Sequence, residues 1–165
     1  MEENTGNNTM NSFEDYNEQI SGQFFPDDAG ETFAENVKED EKADISTLIR
    51  ELKTEEEINN PNLVKCVTDK SGYALYFSRS KIPYERNSGI ATFYGHLGIY
   101  GYKRKALEAM TSLEQTQLEK TESLEQLRAL ENGMKIKTSV VDFVPVGIDT
   151  KDDLEKFRQI VEARL

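Results

Sequence analysis

Several side chains in this sequence are of the kinds that hold small anionic molecules. Arg79 carries a planar fork of donors suited to a carboxylate, although a lone arginine after a strand is ordinarily a surface residue. His96 and Tyr100 lie four positions apart in His96-Leu97-Gly98-Ile99-Tyr100-Gly101-Tyr102. An even separation in a strand puts both on one face, where each can donate or accept a hydrogen bond; the competing reading is a satisfied core histidine. Glu119, Glu122 and Glu125 recur every three residues, the usual mark of a solvated acidic helix face. Asp149 follows Gly147 at the start of the last helix, where a carboxylate either caps that helix with Thr150 or reaches out to a cation. Cys66, the only cysteine, sits in the apolar run Leu63-Val64-Lys65-Cys66-Val67 with no base nearby in sequence, so it reads as a buried structural thiol.

The elements that must position these groups follow from pattern and punctuation. Ile45-Ser46-Thr47-Leu48-Ile49 is β-rich, and Thr54 to Asn59 reads as a short acidic helix whose Thr54 and Glu57 have capping-box spacing and which Asn60-Pro61-Asn62 ends. Leu63 to Asp69 and Tyr73 to Ser78 predict an antiparallel hairpin around Lys70-Ser71-Gly72, and Lys81 to Thr92, with Pro83 and Gly89, predicts a loop. The two glycines of the His96–Tyr102 strand suggest close approach of a backbone or ligand. Helices are expected over about Arg104–Leu113, with Leu107, Met110 and Leu113 on one face, and about Leu118–Asn132, with Leu124, Leu127 and Leu130 inward and Gly133 capping its end. A strand over Lys135–Val141 and a final helix from Thr150, striped by Leu154, Phe157, Val161 and Leu165, complete the pattern. Strands and helices alternate over the second half, which argues for an α/β fold with a mixed, mainly parallel sheet and flanking helices.

Composition divides the chain. Residues 1–43 hold twelve acids against two lysines, whereas residues 44–165 hold nineteen acids against eighteen Lys and Arg, so nearly the whole net charge of -11 lies in the leader. The leader scatters Phe13, Tyr16, Phe24, Phe25 and Phe33 at no helical or strand period, the composition of a disordered tail, and the domain is expected over 44–165. This acidic balance argues against nucleic-acid and membrane-surface partners. The amino terminus has the look of neither a signal peptide nor an anchor, and no run approaches the ~20 apolar residues that span a bilayer, so a cytoplasmic protein is expected.

Five stretches in order are more specific than any alone: Asn60-Pro61-Asn62-Leu63-Val64-Lys65, Ala74-Leu75-Tyr76-Phe77-Ser78-Arg79-Ser80-Lys81-Ile82-Pro83-Tyr84, His96 to Tyr102, Leu124-Glu125-Gln126-Leu127-Arg128, and Val146-Gly147-Ile148-Asp149-Thr150. Here the chain, from about Asp44 onward, resembles the CMP-Kdo synthetases, cytidylyltransferases that make CMP-Kdo and pyrophosphate from CTP and 3-deoxy-manno-octulosonate (Kdo) for lipopolysaccharide precursors. The resemblance implies a nucleotide-diphospho-sugar-transferase-like, Rossmann-like fold and a reaction in which the hydroxyl beside the Kdo carboxylate attacks the α-phosphate of CTP. It implies that Arg79 holds the Kdo carboxylate, that His96, Tyr100, Glu125 and Gln126 bind the sugar with Arg86 a lesser candidate, that Asp149 binds Mg2+, and that the protein is a homodimer.

Full-length members also carry a Pro-Ala-Arg…Pro-Gly-Lys loop around the CTP phosphates and a Gln-Gly-Asp-Glu-Pro stretch with a second metal carboxylate. Neither occurs in residues 1–165, so the amino-terminal half of the fold is expected to be missing and the chain to be marginally stable alone or rescued by a partner. A non-catalytic remnant that binds a sugar acid or a full-length subunit is the alternative, and an enzyme acting on another acidic sugar, such as a sialic acid, is a third.

Overall fold

The computed structural model describes residues 39–142 together with Glu155, Arg158 and Gln159. The leader up to Lys38, Asp149 and the start of the last helix lie outside the described residues.

Five strands form one sheet in the order β3-β2-β4-β1-β5. Strand β1 (Ile45–Glu51) lies inside it, and its first five residues are buried, as its β-branched run requires. It pairs antiparallel with β4 (Tyr94–Tyr102) and parallel with β5 (Ile136–Val141). Strands β2 (Lys65–Thr68) and β3 (Ala74–Ser78) form the expected hairpin, and β2 also pairs antiparallel with β4. Their turn is held by Asp69, whose Oδ1 accepts from the amides of Ser71 at 2.8 Å and Tyr73 at 2.9 Å, while Gly72 takes a φ of +77° that disfavours a side chain.

The α/β class and the mixed sheet stand, but the expected predominance of parallel pairing does not hold among the described strands, where only β1 and β5 run parallel. A short turn obliges β2 and β3 to run antiparallel, and β4 enters between β1 and β2 in the opposite sense to both. Parallel pairing needs a long crossover, and β1 and β5 are the pair separated by every helix described between them.

Helix α1 (Glu55–Asn59) has the expected capping box: the Glu57 amide donates to Thr54 Oγ1 at 3.2 Å and the Thr54 amide to Glu57 Oε2 at 3.3 Å. Helix α2 (Arg104–Ser112) turns Ala106 and Met110 inward and leaves Leu107 half exposed, so the buried stripe runs through 106 and 110. The helix expected over 118–132 is two helices, α3 (Gln117–Glu122) and α4 (Gln126–Glu131), broken at Ser123, whose φ is +54°. That break lets Leu124 and Leu127 both reach the core while Glu122 faces the end of β3. Gly133 closes α4 in the left-handed conformation, its amide donating to Leu130 O at 3.0 Å and that of Met134 to Ala129 O at 3.0 Å.

The main core joins Ile45, Ile49, Cys66, Phe77 and Ile136 of the sheet to Ala106, Met110, Leu124 and Leu127 of the helices, and a smaller cluster sets Leu52, Ile58 and Phe93 beneath α1. The crowded glycine of β4 is Gly95, where a Cβ would lie 2.6 Å from Leu52 Cδ2; at Gly98 it would meet nothing within 4 Å, so close backbone approach there is not found. Residues 40–43, counted with the leader by charge, are tied to the sheet: Ala43 is buried, Tyr73 Oη donates to Asp40 Oδ2 at 2.5 Å, and Lys103 Nζ donates to Asp40 O at 2.8 Å.

Candidate functional site

The polar side chains collect around the kink between α3 and α4 and the adjoining ends of β3 and β4. On the β3 side, Lys65 is wholly buried, and its ammonium donates to three carbonyls, Asn60 O at 2.8 Å, Leu63 O at 2.7 Å and Arg79 O at 2.6 Å. Every proton of the cation is therefore engaged. Burial pulls its pKa down, and the Glu122 carboxylate opposes that. Glu122 accepts from Ser78 Oγ at 2.6 Å and from the Arg79 amide at 3.0 Å, so it is not part of a solvated acidic face. Glu119 departs from that reading too: it is buried, caps the Thr116 amide and pairs with Arg128, whose guanidinium holds its carboxyl below the ordinary range.

Arg79 is fastened to the same kink. Its Nε donates to Glu122 O at 2.8 Å, Nη2 to Ser123 O at 3.4 Å, and Nη1 to Pro61 O at 3.2 Å. A guanidinium has five N–H donors, so two, one on each terminal nitrogen, are unengaged among the described residues and available to an anion.

On the β4 side, the even spacing holds despite a bulge. Thr47 faces Tyr100 and Leu48 faces Leu97, so the bulge adds two residues to β4 and preserves parity. The His96 and Tyr100 rings lie 5.3 Å apart, with Tyr102 a further 5.9 Å along and Phe77 edge-on to His96 at 4.9 Å. His96 Nε2 is 2.9 Å from Thr47 Oγ1, and burial lowers its pKa to about 4, so the ring is neutral at neutral pH. Burial raises the Tyr100 and Tyr102 hydroxyls, and the Glu125 carboxylate raises both further, which brings Glu125 to this face. Gln126, next along, is only 5 % exposed, yet its amide makes no hydrogen bond among the described residues. The one fully buried side-chain oxygen or nitrogen without a partner among the described residues is Thr116 Oγ1, so the Gln126 amide reaches solvent and is open to a ligand.

Of the expected residues, Arg79, Tyr100, Glu125 and Gln126 thus gather about one kink, with His96 adjoining through Tyr100. Arg86 is exposed, on the loop where the Glu85 carboxylate accepts from the amides of Gly89, Ile90 and Ala91 at 2.9 to 3.0 Å, and makes no hydrogen bond or ion pair among the described residues. Cys66 is buried as expected, its thiol pushed up to about 12. Thr47, Lys65 and Tyr102 were not singled out by the sequence, and Glu122 was read only as part of a solvated face. Tyr102 shares the parity of His96 and Tyr100 and was within reach of the same reasoning; the others reveal themselves only through partners distant in sequence. No group of three or more His, Cys, Asp and Glu among the described residues could hold a metal ion, and none of their helices is long and apolar enough to cross a membrane.

The chain resembles known proteins in sequence and in fold. The chain is 48% identical over 126 residues to the 3-deoxy-manno-octulosonate cytidylyltransferase of Thermodesulfovibrio yellowstonii, a match covering 73% of this chain and 49% of that protein. It is 50% identical over 131 residues to the enzyme of the same name from Rhizobium meliloti, covering 77% and 51%. The chain spans about half the length of the curated relatives it matches. A solved CMP:2-keto-3-deoxy-manno-octonic acid synthetase, complexed with CTP, superposes with a TM-score of 0.78 at 38% identity over 82% of this chain and 56% of that one. That neighbour shares the Rossmann-like nucleotidyltransferase architecture. The family model for cytidylyltransferases matches residues 25–136, reaching back into the acidic leader, and the chain therefore belongs to the cytidylyltransferase family.

Proposed function

We propose that the chain supplies the sugar-acid face of a cytidylyltransferase that makes CMP-Kdo and pyrophosphate from CTP and Kdo, as its relatives' names describe, in the cytoplasm and for lipopolysaccharide synthesis. In this reading the two spare donors of Arg79 take the Kdo carboxylate. Gln126, Glu125, Tyr100 and His96 take its hydroxyls, with Arg86 at the rim. The hydroxyl beside the carboxylate forms a bond to the α-phosphorus of CTP as the bond to pyrophosphate breaks, and its proton passes to solvent or to the departing phosphate. Asp149, outside the described residues, would hold Mg2+ in part, and the cation would supply neutralisation of the phosphate charge. Orientation of the carboxylate and hydroxyls fixes where the nucleophile stands, and this is what the chain's own residues contribute. A homodimer completes the proposal.

The observation that supports this reading best is the Arg79 guanidinium, anchored to the α3–α4 kink and to Pro61 by three bonds, with two donors unengaged among the described residues. Calorimetric titration with Kdo, together with pyrophosphate release from CTP, Kdo and Mg2+ beside an Asp149→Ala control, tests it. Binding with release that the control abolishes is the expected result. Binding without release makes the chain a non-catalytic sugar-acid binder, and a chain that ignores Kdo overturns the reading altogether.

A further inference from the structure

We infer that Thr47 is a positioning residue: its hydroxyl fixes His96 as the Nε2–H tautomer, so that the bare Nδ1 accepts a hydrogen bond from a ligand hydroxyl. The ligand half of this inference rests on the reading of the His96 face as a sugar-acid site, whereas the tautomer rests on geometry alone.

The bulge in β4 makes the arrangement necessary. With Leu48 opposite Leu97 and Thr47 opposite Tyr100, Gly98 and Ile99 have no partners in β1, and carbonyls at the bulge lie within reach of the Thr47 hydroxyl. Two of them meet Thr47 Oγ1, Ile99 O at 2.7 Å and Leu97 O at 3.3 Å. A hydroxyl has a single proton, and the shorter contact takes it. Toward its remaining neighbour, His96 Nε2 at 2.9 Å, the oxygen can then only accept, so Nε2 carries the hydrogen. The opposite tautomer would draw the hydroxyl proton to Nε2 and leave the Ile99 and Leu97 carbonyls without it at a residue with no solvent exposure, a costly loss. A neutral ring protonated at Nε2 has a lone pair at Nδ1, and no described residue bonds to it.

The chemical consequence is selectivity. A bare nitrogen repels a carboxylate and welcomes a hydroxyl, so His96 and Arg79 divide the ligand between them, the first taking a donor and the second the anionic end.

The chain has one histidine, so a long-range proton–nitrogen correlation spectrum of the isotope-labelled full chain contains a single imidazole. Expected is a protonated Nε2 with a pyridine-like Nδ1 in the parent and in Thr47→Ser. Thr47→Val should shift the ring toward the Nδ1–H form and weaken Kdo binding by about tenfold, while the serine variant stays near the parent. Addition of Kdo should move the Nδ1 resonance. A parent spectrum of the Nδ1–H type overturns the inference, as does Kdo binding that leaves Nδ1 unmoved. A parent that does not bind Kdo sinks the functional reading while the free-state spectrum still decides the tautomer, and the parent and serine spectra decide it even if the valine variant does not fold.

Discussion

Lys65 and Gln126 are both nearly inaccessible polar residues near one kink, and they are treated in opposite ways. Lys65 spends all three protons on backbone carbonyls, whereas Gln126 has no partner among the described residues. A buried charge that is fully satisfied ties segments together: residues 60 and 63 before β2 are lashed to residue 79 after β3. An amide with no protein partner among the described residues, whose polar atoms water can reach, costs the fold little and stays available to a ligand. Arg79 belongs to both regions, three donors for the scaffold and two in reserve.

The largest expected effect is on the satisfied side. Lys65→Met keeps the stem but abandons three carbonyls, and urea unfolding should show a loss of about 4 kcal/mol. A loss below about 1 kcal/mol would mean that water replaces the ammonium and that Lys65 is no tie.

Next is the pH dependence of the His96 face. The native pKa of about 4 lies below the ordinary 6.5, so below pH 6.5 the unfolded chain takes up a proton that the native ring refuses. Stability from this group is complete above 6.5 and is lost as pH falls toward 4, by about 3 kcal/mol in all. The carboxylates whose pKa values are lowered from 3.8 or 4.5, among them Asp40, Glu57 and Glu119, add their own loss only at still lower pH, so the window from 6.5 to 5 isolates the histidine. Denaturant midpoints that are flat across that window would place the ring in contact with water.

Arg79→Lys tests the shared residue. One ammonium cannot span Pro61, Glu122 and Ser123 and still present two parallel donors, so a loss of about 2 kcal/mol should accompany loss of measurable Kdo binding. Binding that survives would assign the carboxylate to another cation.

Gln126→Ala should separate the regions most clearly: stability within about 0.5 kcal/mol of the parent, and Kdo binding weaker by about tenfold. The reverse result, a fold weakened and binding intact, would show Gln126 to be scaffold. Smallest is Thr54→Ala, at the end of α1 opposite the Asn60 carbonyl that Lys65 holds, which removes one half of the α1 capping box and should cost about 1 kcal/mol in melting experiments with no change in binding.

How far the sequence could be read depended on whether a property was local. The hairpin around Lys70-Ser71-Gly72, the Thr54–Glu57 box and the Gly133 cap each rest on residues within a few positions of one another, and each is found as expected. The long helix over 118–132 failed because nothing local forbids a helix at Ser123; the break follows from the demands of the core on Leu124 and Leu127. The parallel sheet was expected from alternation of elements, which does not say that β4 inserts between β1 and β2.

For the site, residue types, strand parity and the ordered motifs pointed to the family and to Arg79, His96, Tyr100, Glu125 and Gln126, and also to Arg86, which lies on an exposed loop, and Asp149, which lies outside the described residues. They could not tell which glutamates are solvated, since Glu119 and Glu122 differ from Glu125 only in what folds against them. Nor could they reveal that Lys65 is saturated, Arg79 half committed and His96 oriented by Thr47. Those properties are hydrogen-bond assignments between residues as much as 52 positions apart, and a donor acquires its role only when the fold settles which acceptors it meets.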